Sequence, residues 1–332
     1  MKVREVAGGL LTTAIGLGAV LLISEITIRV YAHRSLIYDL EMSRYAMEIK
    51  TGSPNPRIGH VHKPNTEANL MGVPVKINSD GFRDREYPIE RNASRRIIFL
   101  GDSLTFGWGV EKAKTFEEIM EAKLSQTVPT EIINFGTGNY NTEQEANLFL
   151  EKGLKYKPDE VTVFYFINDA EPTPHKSNWE VLGRFRIVTF FWSRVKSGFA
   201  GFGQNKSFRE YYAGLYSDGQ PGWIAAKEAF LELRDVCGKK RIALRVILLP
   251  ELHALEDYPF AAEHHKLLVF LRENGIEARD LAPFFAGERN PMRLWVARDD
   301  AHPNELAHAL IAEYSLDFVR EGIQGRVSGG AN

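Results

Sequence analysis

The sequence predicts an α/β fold: a mainly parallel sheet covered by helices in three layers, preceded by one membrane-spanning helix. Three observations predict it. From Arg95 onward, short apolar runs alternate with helix-like segments, the pattern of parallel strands buried on both faces. Polar clusters follow those runs, where an open parallel sheet binds its ligands. At the N-terminus, residues 6–23 carry no charge and follow Lys2 and Arg4.

The apolar run spans roughly 27 Å at about 1.5 Å per residue, close to the ~30 Å hydrocarbon core. It continues into Leu-Leu-Ile-Ser-Glu-Ile without a small-x-small cleavage pattern, so residues 1–34 read as an uncleaved anchor. A cleaved signal and a buried soluble helix are the competing readings. Lys2 and Arg4 on one side face Arg29 and Arg34 on the other, so charge does not set the orientation. The expectation is a single-pass protein of the inner membrane with its main domain in the periplasm.

With 332 residues, 44% of them hydrophobic, the chain can bury a full core, and one main domain with appendages is expected. The net charge of −2, from 41 basic and 43 acidic side chains, excludes a global field for nucleic acid. Cys237 is the single cysteine, which excludes an internal disulfide and a multi-cysteine zinc site.

Residues 35–92 read as a lead-in with short strands near 70–77 and a turn cluster, Asn78-Ser79-Asp80-Gly81. Residues 93–322 form the main domain, with strands at 97–100, 131–135, 161–167, 242–249 and 276–281. Helices are expected at 115–126 and 142–155, opened by the capping boxes Thr115/Glu118 and Thr142/Glu145, then at 223–236, at 261–274 and from about Asn304. Residues 323–332 read as a flexible tail. The stretch 171–221 is too long for an ordinary connection and rich in aromatics. Within it Phe185, Val188, Trp192, Val195 and Phe199 recur at helical spacing. Either an amphipathic helix on the membrane or over the active site, or a subdomain packing its own aromatics, would account for them.

Four polar clusters end apolar runs or precede the last helix: Gly101-Asp102-Ser103-Leu104, Asn134 to Asn139, Asn168-Asp169, and Asp299 to Asn304. A serine hydroxyl needs a base to take its proton, and a histidine serves if a carboxylate fixes its tautomer. Asp299 and His302, three apart in a turn, supply that pair for Ser103, with Asp300 the alternative acid. Oxyanion donors are the backbone N–H of Ser103, that of Gly138 or Asn139, and the side-chain amide of Asn168. Asp299, Asp300 and His302 read as metal ligands less well, because Ser103 and Asn168 accompany them; no metal or cofactor is expected. His253, His264, His265 and His308 read as helix-surface or loop residues.

Taken in order, these clusters resemble the sequence blocks of the SGNH/GDSL hydrolase superfamily, over residues 95–319. The resemblance implies a flavodoxin-like α/β/α sandwich, with Ser103 as nucleophile, Asn168 as oxyanion donor, and Asp299 and His302 as orienting acid and base. The chain departs from the family in two places. It has Phe166-Ile167-Asn168-Asp169 where many members have Gly-x-Asn-Asp, and Asn139 stands where the second-block glycine usually does, one residue after Gly138. Gly81-Phe82-Arg83-Asp84 resembles a segment upstream of the catalytic domain in some membrane-associated members; by its residues alone it is a tight turn with a buried Phe82.

The expected function is hydrolysis of an acyl ester of a glycan or lipid-linked substrate through an acyl-Ser103 intermediate. Transfer of the acyl group to a sugar hydroxyl is one alternative. An inactive glycan-binding or assembly protein is another. Trp108 and the aromatic insertion point to an apolar or sugar-stacking surface.

Overall fold

The computed structural model describes residues 2–34, 37–91, 93–174 and 207–329. Two compact units divide the chain: residues 1–48 with 177–205, and residues 49–176 with 206–332. In the first, helices α1 (Lys2–Arg34) and α2 (Tyr38–Glu48) are described. Gly8–Ile28 of α1, with mean hydropathy 1.9, is long and apolar enough to cross a membrane, a test that a signal sequence also meets. Helix α2 lies where only lead-in was expected. The predicted helix at 185–199 lies outside the described residues.

The second unit is built on a five-stranded parallel sheet. After the short hairpins β1 (Lys50–Gly52) with β2 (His60–His62), and β3 (Glu67–Leu70) with β4 (Val73–Lys76), come the sheet strands β5 (Arg95–Gly101), β6 (Thr130–Asn134), β7 (Glu160–Tyr165), β8 (Ala243–Leu248) and β9 (Glu277–Asp280). Their spatial order is β6-β5-β7-β8-β9. This is the flavodoxin-like order, in which β5 and β7 lie side by side at the point where the winding reverses.

Alternation along β5 shows why its central residues are all apolar. Ile97 and Phe99 enter one core and Ile98 and Leu100 the other, all fully buried. One face is covered by α3 (Phe116–Ser125) and α4 (Glu305–Gly329), through Phe116, Met120, Leu124, Ala307 and Ile311. The other is covered by α5 (Thr142–Leu148), α6 (Pro221–Lys240) and α7 (Ala261–Glu273), through Ala146, Trp223, Phe230, Leu267 and Leu271.

Several predicted details differ. At the start of Thr142–Leu148 the capping box is Asn141/Gln144: Gln144 N–H donates to Asn141 Oδ1 at 2.9 Å and Asn141 N–H to Gln144 Oε1 at 3.2 Å. Thr142 and Glu145 are buried instead and face inward. That helix also ends early, passing into a wider turn at Phe149–Gly153. Thr115 precedes its helix, but its hydroxyl donates backward to Lys112 O at 2.6 Å, and Glu118 pairs with Lys112. The last helix runs to Gly329, through most of the stretch read as a tail. His264 and His308 are buried, not on the surface. His264 Nδ1 meets Asp280 Oδ1 at 2.9 Å, while His308 Nδ1 accepts from Phe116 N–H at 3.0 Å.

Candidate active site

Strand β5 ends at Gly101, and the chain turns at once into a single helical turn, Ser103–Phe106. Asp102 caps it, its Oδ1 accepting from Leu104 N–H at 2.8 Å. Ser103 is therefore the first residue of the turn. Two glycines let this turn sit low on the sheet: a Cβ at Gly101 would lie 2.0 Å from Thr105 Oγ1, and one at Gly136 would lie 2.2 Å from the backbone nitrogen of Phe106. Any larger residue at Gly136 would push the nucleophile's turn away.

Ser103 Oγ lies 2.8 Å from His302 Nε2. Behind it, His302 Nδ1 lies 2.5 Å from Asp300 Oδ1. The residue on the imidazole is Asp300 and not Asp299. Sequence reasoning took residues 299–304 for a turn, in which an i to i+3 pair can meet. Four of them form strand β11 (Asp300–Pro303), paired antiparallel with β10 (Trp295–Ala297). Along a strand, side chains two apart share a face and those three apart do not. Asp300 and His302 point together, and Asp299, in the turn before the strand, is exposed.

With Nδ1–H donating to the carboxylate, Nε2 is the basic nitrogen facing the serine hydroxyl. Burial would push the Asp300 carboxyl up, but the hydrogen bond and charge of His302, with the Trp108 indole, outweigh it and hold the group below its usual range. Asp300 therefore remains a carboxylate throughout the neutral range.

Asn168 follows β7, next to β5 at the winding reversal. Its Nδ2 donates to Asp102 Oδ2 at 3.3 Å, the same oxygen that lies 3.4 Å from Ser103 Oγ. An amide nitrogen carries two hydrogens, so this bond leaves one over. After β6, Thr137 N–H bonds to Gly101 O at 3.0 Å, which ties this loop to the nucleophile's strand. Tyr140 N–H then closes a turn onto Thr137 O at 3.2 Å, with Gly138 and Asn139 at its corners. Asn139 has φ +65°, a left-handed conformation that favours glycine and, next to it, asparagine. The departure from the family glycine thus retains the backbone shape. Lys50 Nζ holds the turn from outside, 2.7 Å from Gly138 O and 2.8 Å from Asn139 Oδ1, and His60 Nε2 donates to Gly138 O at 3.1 Å.

With Ser103, His302 and Asp300 joined by hydrogen bonds beside the two loops, the family comparison is decisive: the GDSL-like lipase/acylhydrolase family matches residues 99–310, nearly two thirds of the chain. The chain belongs to this family. As a GDSL enzyme it hydrolyses an ester bond. Among solved structures, the GDSL chain is similar to the acetyl xylan esterase AlAXEase, at 16% identity over 68% of this chain and 99% of the other, with a TM-score of 0.44. It is also similar to LAE5, an alpha/beta hydrolase enzyme from the metagenome of Lake Arreo, Spain, at 17% identity over 69% and 97% with a TM-score of 0.46. A third likeness is to a catalytic mutant of Axe2, an acetylxylan esterase from Geobacillus stearothermophilus, at 14% identity over 70% and 95% with a TM-score of 0.45. No curated protein matches the chain.

Beside this GDSL site, one residue has a role other than the one expected and two were missed from the sequence. Trp108 is buried and is no sugar-stacking surface; its Nε1 donates to Asp300 Oδ2 at 2.9 Å. Lys50 and His60 come from the lead-in, and no local pattern marks them. Burial lowers the Lys50 ammonium to about 7. Burial, helped by the Lys50 charge, lowers His60 to about 3, so His60 is neutral when it donates to Gly138 O. Burial and the charge of Asp102 raise the carboxyl of Glu145, favouring its protonated form.

Proposed function

We propose that the chain is a serine esterase in which Ser103, His302 and Asp300 act as the triad, releasing an acyl group from a glycan or lipid-linked ester. The observation that carries this reading is the continuous hydrogen-bonded line from Ser103 Oγ through His302 to Asp300. In acylation, Ser103 Oγ attacks the ester carbonyl carbon while its proton passes to His302 Nε2, and Asp300 stabilises the imidazolium. The carbonyl oxygen becomes an oxyanion that takes hydrogen bonds from Ser103 N–H, a backbone N–H of the Gly138-Asn139 turn and Asn168 Nδ2. Collapse expels the alcohol, which receives the proton from His302. Water then repeats the sequence on the acyl-serine and frees the acid. The apolar α1 supports an anchored enzyme.

Hydrolysis of p-nitrophenyl acetate by the full-length protein in detergent tests the reading. Ser103→Ala is expected to abolish turnover and labelling by a fluorophosphonate. Undiminished turnover in that variant would sink the mechanism. With an acylated sugar supplied, products carrying the acyl group on a second sugar hydroxyl, rather than free acid, would make water the wrong acceptor.

A further inference from the structure

The segment Gly81-Phe82-Arg83-Asp84 lies upstream of residues 99–310, outside the part of the chain that the family matches. It is nonetheless built into the site's underside. Phe82 stacks on Phe135 at 3.9 Å between ring centroids, which fixes the segment against the end of β6.

Arg83 is only 2% exposed. Its Nη1 donates to Phe106 O at 3.0 Å and Gly107 O at 2.6 Å, and its Nη2 to Val110 O at 2.7 Å. One guanidinium thus gathers three carbonyls from the loop that ends the Ser103 turn. A single turn has little internal bonding to hold it: Phe106 N–H to Asp102 O, at 2.9 Å, and Gly107 N–H to Ser103 O are its i to i+4 bonds. The same loop carries Trp108, whose backbone N–H bonds Ser103 O at 3.1 Å and whose indole holds Asp300 Oδ2. Displacing this loop would move the nucleophile and the acid together.

Asp84 reaches the other loop. Its Oδ2 accepts from Asn134 N–H at 2.9 Å and Tyr87 Oη at 3.1 Å, and its Oδ1 from Arg85 N–H at 2.8 Å, with Lys112 Nζ at 2.9 Å. Asn134 passes the constraint on: its Nδ2 donates to Thr105 O at 2.8 Å and its Oδ1 accepts from Gly136 N–H at 2.7 Å, just before the Gly138-Asn139 turn.

We propose that Arg83 and Asp84 are paired positioning residues of the esterase site, Arg83 setting the Ser103 turn and the Trp108 loop and Asp84 setting the strand end that leads to the oxyanion turn. This rests on Ser103 being the nucleophile. Neither residue touches substrate. Their effect is on the alignment of groups that do, where a displacement of about 1 Å costs on the order of 100-fold in rate.

The test is steady-state hydrolysis of p-nitrophenyl acetate, fluorophosphonate labelling and thermal melting of full-length Arg83→Met, Arg83→Lys and Asp84→Asn. Arg83→Met is expected to lose about 100-fold in kcat with KM nearly unchanged while still melting cooperatively. Arg83→Lys, whose ammonium can still serve part of the carbonyl set, recovers part of that loss. Asp84→Asn must turn an amide toward one of its donors, and kcat falls at constant KM. A mere core-destabilising change, Phe230→Leu, lowers the melting temperature and leaves kcat alone. Wild-type kcat in folded Arg83→Met and Asp84→Asn would overturn the proposal. If Arg83→Met does not fold, wild-type kcat in both remaining variants overturns it equally. A folded wild-type chain that is not labelled at Ser103 would instead overturn the esterase reading, and the clamp with it.

Discussion

Asp300 has two carboxylate oxygens with separate tasks: Oδ1 orients His302 and Oδ2 is held by the Trp108 indole. Two residues along the same strand, the imidazole has little freedom to leave the serine. Trp108→Phe keeps the ring and deletes that donor, so the carboxylate gains freedom to rotate away from Nδ1. A second residue-scale prediction concerns His308, which burial holds neutral by lowering its pKa to about 3. In the unfolded chain a histidine titrates near 6.5. Between those values the unfolded state binds more protons, so this group makes the protein lose stability as pH falls from about 6.5 toward about 3. His308→Asn preserves an acceptor for Phe116 N–H and removes the titration. Chemical denaturation at pH 7 and pH 4 should show a smaller acid loss in the variant than in wild type; an equal loss would mean that His308 is not buried neutral.

At the scale of elements, the lesson lies in period and turn geometry. The inner sheet strands were legible because they are largely apolar on both faces, as Ile97, Ile98, Phe99 and Leu100 show, whereas the edge strand β9, Glu277-Ala278-Arg279-Asp280, is mostly polar and carries a weaker signal. Strand β11 was not legible: Asp300-Ala301-His302-Pro303 is only four residues long and ends in proline, so it read as a turn and the acid was assigned one residue early. The Gly138-Asn139 turn was a departure in the sequence and became regular in the structure, since its φ of +65° admits asparagine. Asn139→Gly should therefore retain stability and activity, whereas Asn139→Ala should cost about 1 kcal/mol from the left-handed backbone alone. Melting curves of the two variants check this; an Asn139→Ala protein as stable as Asn139→Gly would show that the turn does not need a positive φ.

For the whole molecule, the proposed reading gives one apolar helix and one α/β unit separate functions, anchoring and hydrolysis. The α/β unit was readable from ordered motifs; the contributions of Lys50, His60, Arg83 and Asp84 were not, because they reach the site across long stretches of sequence that no local pattern links. Removing residues 1–34 is expected to move the protein from the membrane fraction to the soluble fraction, checked by ultracentrifugation of cell lysates. Retention of the truncated chain in the membrane would deny α1 the role of anchor. The central claim is that Ser103 is driven by His302 and that Asp300, not its neighbour, holds the base. Comparing kcat for ester hydrolysis in Asp300→Asn and Asp299→Asn tests it most directly. A loss on the order of 10⁴-fold in Asp300→Asn, with Asp299→Asn close to wild type, is the predicted result; the reverse ranking would contradict it.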